Sequence, residues 1–186
     1  MTNDLIPYDD FLKRIGHCIT YWAFIEEMLF EICVATLKAP RKQTAIVYYR
    51  TPTLEARLSL VQELVAAKFP RKKPGQHSST LEITWSNLVK EATDLIPERN
   101  TLAHRPLKGI LISGLSSDGE AQIKYSVRLH KNERLRGRSV KADLMDADSL
   151  SKHLKRVRIL EEGLRRFNYD LRTMLLRLSR PPKGGQ

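Results

Sequence analysis

The run Glu98-Arg99-Asn100-Thr101-Leu102-Ala103-His104 collects residue types suited to chemistry on a phosphodiester. Arginine presents a planar fork of donors that matches phosphate oxygens. Histidine exchanges a proton near neutral pH and so can act as base or acid. An asparagine beside the arginine can orient the imidazole or a phosphate oxygen. RNA can be cleaved without a metal when a base removes the 2′-OH proton, a cation stabilises the charged phosphorane and an acid protonates the leaving oxygen. A single Arg–His pair lacks the second acid/base group that this scheme needs. Plainer roles are open to the same residues: His104 can cap a helix C-terminus, where a cation is favoured by the dipole, and Arg99 can bridge to Glu98, Asp94 or another helix.

Other signatures of catalysis are missing. The chain contains no GxxxxGK[ST], GxGxxG, HExxH, CxxC or GxSxG run. Cys18 and Cys33 fall in one apolar segment with no His or Cys at metal spacing, which argues against a disulfide framework or a zinc finger. The five histidines, at positions 17, 77, 104, 130 and 153, form no ligand-like pair. No metal and no cofactor is expected.

The motif must be positioned by helices. From Tyr8 to about Lys38, Phe11, Ile15, Cys18, Trp22, Ile25, Leu29 and Ile32 recur at strides of 3 and 4, the stripe of one long helix that Ala39-Pro40 should end. A second helix is expected with Thr51 as N-cap and Pro52 in its first position, carrying Leu54, Leu58, Val61 and Val65 on its inner face. Phe69–His77 reads as a loop. A third helix opens with Ser79 and Glu82 in capping-box spacing and buries Trp85, Leu88, Val89, Ala92, Leu95 and Ile96. Pro97 should kink or restart it just before Arg99. Two alternating runs separated by SSDG, within about residues 107–130, predict a β-hairpin turning at Asp118-Gly119. A last helix, capped by Asp146 or Asp148, carries an apolar stripe to about Leu178. The fold class expected is mainly all-α: a bundle of four main helices with a β-hairpin insertion before the last, one domain over residues 1–180 and a flexible tail over 181–186.

On these residues the chain resembles the HEPN superfamily, helical proteins marked by Arg-x4-6-His with a polar residue commonly following the arginine. Arg99, Asn100 and His104 match that pattern, and RN-x-x-AH is wording common in the family. The aromatic-rich first helix YWAFIEEMLFEICVATL, the helix LEARLSLVQEL and the closing helix also fit, so the resemblance spans most of residues 8–178. The bare pattern is permissive, with about one or two matches expected by chance in a chain of this composition. A second match, Arg71 to His77, lies in the Pro-Gly loop without the polar neighbour. The resemblance implies RNA as substrate, metal-independent endoribonuclease activity and a homodimer in which two motifs face one another in a composite site. His104 would then be the acid/base, Arg99 the phosphate stabiliser and Asn100 the orienting residue. It also implies a toxin or defence setting, with a neutralising or regulatory protein as a possible partner. The alternative is a non-catalytic module of the same fold that binds RNA, a nucleotide or a protein.

Charge supports an anionic partner. The 186 residues carry 32 Lys or Arg and 21 Asp or Glu, a net of +11, and +9 of that lies after residue 127. Arg128, Lys131, Arg134, Arg136 and Arg138 cluster beside the hairpin. Lys152, Lys155, Arg156, Arg158, Arg165 and Arg166 punctuate the last helix, with only Glu161, Glu162 and Asp170 along it to pair. Arg128, Lys131, Arg134, Arg136, Arg138, Lys155, Arg156 and Arg158 are the residues expected to grip a phosphate backbone. Trp22, Trp85 and Phe167 belong to core faces rather than to base-stacking platforms. No apolar run approaches the roughly 20 residues that span a bilayer, and acids in MTNDLIPYDD argue against a signal peptide. A cytoplasmic protein with no membrane partner is the expectation.

Overall fold

The computed structural model describes residues 8–69, 79–104, 107–115, 121–129, 145 and 147–178, the two segments between 107 and 129 by their backbone alone. The described chain is mainly α-helical, with α1 (Tyr8–Leu37), α2 (Arg41–Arg50), α3 (Leu54–Ala66), α4 (Thr80–His104) and α5 (Ala147–Leu178). Between α4 and α5, β1 (Leu107–Leu115) and β2 (Ala121–Leu129) pair antiparallel, with Leu107 opposite Leu129 and Leu115 opposite Ala121. Asp118-Gly119 and the tail 181–186 lie outside the described residues. Among the described residues, no helix is long and apolar enough to cross a membrane.

Three local expectations need correction. The expected four main helices are five, because α2 occupies residues to which the sequence pattern assigns no element. Its signal is weak: Pro40 precedes it without a side-chain cap, no acid lies in its first turn, and it buries only Thr44 and Tyr48. The N-cap of α3 is Thr53, whose side chain accepts a hydrogen bond from the Ala56 N–H at 3.1 Å; Thr51 instead closes α2. Finally, α4 runs on through Pro97 to His104 rather than restarting. Proline removes one donor to the carbonyl four residues back, here Thr93, and both residues are exposed to solvent.

Other helix ends follow the sequence. Lys38, at φ 54°, puts a left-handed residue just past α1. The capping box of α4 is formed in both directions: the Ser79 N–H donates to Glu82 Oε2 at 2.8 Å, and the Glu82 N–H donates to Ser79 Oγ at 3.3 Å.

The chain packs as two compact units. One comprises residues up to Trp22 with Pro97–Arg158; the other comprises Ala23–Ile96 with the residues from Ile159 onward. The core of the first is Phe11, Cys18, Leu102, Met145 and Leu150, with Ile15, Ala147 and Leu154 packed against them. Arg14 of α1 donates to the Ser151 hydroxyl of α5 in the same unit. In the second unit, Trp85 stacks on Phe167 with ring centroids 4.8 Å apart. Tyr48, fully buried, donates its hydroxyl to the Glu26 carbonyl at 3.0 Å, and Arg57 pairs with the Glu26 carboxylate at 2.7 Å. Trp22, Trp85 and Phe167 are all buried, as their stripe positions require.

The cap assignment is directly testable. Thr53→Ala should lower unfolding stability by about 1 kcal/mol in denaturant titrations, and Thr53→Asp should retain most of it.

Candidate functional site

The motif lies in the last turns of α4. Helical geometry turns about 100° per residue, so Arg99, Ala103, Asn100 and His104 spread in that order over an arc of about 140°. Thr101 and Leu102 are buried on the opposite side, while Ala103 and His104 are exposed and Arg99 and Asn100 half-buried. The Arg99 guanidinium donates to Asn100 Oδ1 at 3.2 Å. Asn100 and His104 stand four residues apart and share a face. Ala103, with only a methyl group, keeps the middle of the arc low.

Glu98, next to Arg99, points the other way. Its carboxylate meets Nδ1 of His153, on α5, at 2.5 Å. Nε2 of the same ring receives the Trp22 indole N–H, from α1, at 3.2 Å. His153 is 1% exposed. An indole N–H only donates, so Nε2 must accept, and the ring is neutral with its proton on Nδ1 facing Glu98. Burial, the largest effect, holds the His153 pKa below its ordinary 6.5; hydrogen bonding and charge attraction from Glu98 oppose that, and the nearby Arg156 guanidinium reinforces it. The same unit buries Cys18, whose thiol is pushed up to about 12 by desolvation and by the Glu98 charge. A thiol held protonated there is no nucleophile.

Sequence reading missed this trio. His153 follows Leu150 by three residues and precedes Val157 by four, so it sits on the buried stripe of α5. A polar residue at such a position demands partners, and that was the available signal. The partners themselves lie 55 and 131 residues away in sequence.

The contact also relates the motif to part of the basic sequence. Glu98 binds α5 at His153, two residues before Lys155, three before Arg156 and five before Arg158. All three of those bases are exposed. Arg128 lies on β2, in register with Lys108. Lys131, Arg134, Arg136 and Arg138 lie outside the described residues. Acids available to α5 are more numerous than its own Glu161, Glu162 and Asp170: Asp148 takes Lys152 at 2.6 Å, and Glu31 of α1 takes Arg172 at 2.8 Å. Arg165 pairs with Glu161 as expected. Among the described residues, no three of His, Cys, Asp or Glu are grouped as metal ligands.

Comparison with models of known protein families, with curated proteins and with solved structures finds no match to this chain.

The buried ring makes stability depend on pH in a definite sense. With its folded pKa below 6.5, the unfolded chain takes the proton first as pH falls, so this contribution is present above 6.5 and is lost as pH drops toward the folded pKa. The thermal midpoint should therefore decline from pH 7.5 to pH 5.5, and His153→Gln should flatten that decline.

Proposed function

We propose that this chain is a metal-independent endoribonuclease of HEPN type, acting as a homodimer through Arg99, Asn100 and His104. The observation that supports this reading is the disposition of the three residues on one half-open arc of α4, with Arg99 and Asn100 hydrogen-bonded side by side. In this reading β1 and β2 are an insertion into a helical bundle. The exposed Lys155, Arg156 and Arg158 of α5 hold the RNA backbone.

The chemistry follows from the groups. His104 of one protomer removes the 2′-OH proton, and the freed oxygen attacks the adjacent phosphorus. Arg99 stabilises the charge gathered on the non-bridging oxygens, a role worth the most where donors are held in advance. Asn100 holds the guanidinium in place. The bond to the 5′-oxygen breaks, and that oxygen takes a proton from the second His104 of the dimer. The products are a 2′,3′-cyclic phosphate and a free 5′-hydroxyl. A second copy supplies the acid that one motif lacks.

End-labelled RNA incubated with the protein in EDTA tests this. Cleavage should occur in the wild type and fall by about 10²-fold or more in His104→Ala and Arg99→Ala, with circular dichroism unchanged. Cleavage that survives both substitutions would overturn the reading. Retention of RNA without cleavage selects the binding module instead.

The grip on the backbone has its own signature. For single-stranded RNA, Lys155→Ala and Arg158→Ala should each reduce the slope of log affinity against log salt by about 0.7, with little sequence dependence.

A further inference from the structure

Both nitrogens of the His153 ring are committed, one to each neighbouring helix of its unit. Nδ1 donates to Glu98 of α4 at 2.5 Å, and Nε2 accepts from Trp22 of α1 at 3.2 Å. The groups that bear on the ring are few. Trp22 faces it from α1, stacked at 6.2 Å between centroids, and Cys18 lies one turn earlier within the field of Glu98. Glu98 faces it from α4, and Arg156 from α5 itself. Among the described residues, only Glu98 favours a charge on the ring.

Adding a proton to Nε2 would set two N–H donors against one another at the present 3.2 Å. One of the two contacts must then open. An imidazolium binds a carboxylate more strongly than a neutral ring does, so Glu98 is kept and Trp22 is released. Ring and carboxylate then move as a pair, and Arg99 and Asn100 are the next two residues on the same turn of helix.

We propose that Glu98, His153 and Trp22 form a proton-operated hold on the end of α4, which keeps Arg99 and Asn100 in their hydrogen-bonded arrangement only while the imidazole is neutral. Glu98 and His153 are positioning residues in this scheme, acting through the arginine and asparagine. Its consequence for RNA cleavage rests on the nuclease reading; the conformational coupling does not. Desolvation lowers the pKa of the ring, so the hold opens on the acid side of the ordinary histidine range.

The test is heteronuclear NMR on the full chain labelled with nitrogen-15, titrated from pH 7.5 to pH 5. In the wild type, the Trp22 indole N–H and the Asn100 side-chain amide signals should move together, with the midpoint of the His153 ring. His153→Gln places an amide oxygen where Nε2 accepts and an amide N–H toward Glu98, and it cannot titrate. In that variant the Asn100 signals should stay fixed. Trp22→Phe, which removes the indole donor and keeps an aromatic ring, should raise the midpoint of His153. Asn100 signals that ignore the titration of His153, or that shift equally in His153→Gln, would overturn the hold. So would a ring that takes no proton before the chain unfolds. RNA cleavage measured across the same pH range separates the two claims. Absence of cleavage at every pH, with the NMR coupling intact, removes the nuclease reading and leaves the hold. Cleavage whose pH profile is the same in wild type and His153→Gln removes the hold and leaves the nuclease.

Discussion

A buried imidazole with both nitrogens engaged constrains the unit that contains the motif. Leaving either nitrogen of His153 unpaired at 1% exposure would cost about 1–3 kcal/mol, because a buried polar atom forfeits its hydration. The apolar cluster of the same unit, Phe11, Cys18, Leu102, Met145 and Leu150, is attracted without regard to direction and tolerates a sliding helix. Hydrogen bonds do not. Trp22 and Glu98 reach the ring only at one height of α1 and one height of α4 along α5, so the trio sets a register that packing alone leaves loose. The contrast with Trp85 shows that the fold does not always provide such a partner: the buried Nε1 of Trp85 has none among the described residues.

The same trio explains why Glu98 is not the mate of Arg99. Adjacent residues on a helix diverge by about 100°, so a glutamate turned inward leaves its arginine neighbour turned outward. Arg99 finds the Asn100 oxygen instead. The acid that sequence proximity suggests as a partner for Arg99 is thus committed to a histidine. Exposed pairs on α5 such as Lys152–Asp148 add little stability, since ion pairs in water are worth less than about 1 kcal/mol each.

Periodicity made the long helices legible. Strides of 3 and 4 over many turns in α1, α4 and α5 leave little freedom for another reading, and the Ser79–Glu82 box marked the start of α4 to the residue. Short elements were not legible. Over ten residues α2 offers one clear inward pair, Thr44 and Tyr48, and its other apolar side chains, Ile46, Val47 and Tyr49, face solvent. Thr51 and Thr53 are both acceptable caps by type, and only the hydrogen bond from Ala56 distinguishes them. The site was half legible. Residue types at local spacing marked Arg99, Asn100 and His104, whereas the neighbouring Glu98–His153–Trp22 trio depends on contacts across 55 and 131 residues that no local pattern encodes.

A final feature of α4 bears on why a second copy suits this arc. Trp85, Ala92 and Ile96 form its buried stripe, and the next positions at strides of 3 and 4 are Arg99 and Ala103. Past Pro97, Arg99 is half-buried and Ala103 exposed, and burial passes instead from Leu95 to Leu102. In the proposed homodimer, a small residue at position 103 would allow two copies to approach closely. The spacing of five between Arg99 and His104 adds to this. On one helix it turns the two side chains about 140° apart, too wide to meet on a single phosphate without help. In the proposed homodimer, the motif of the second copy would supply the missing partner. For the proposed nuclease, the i, i+5 spacing, awkward within a single chain, is a geometric reason to look for a dimer.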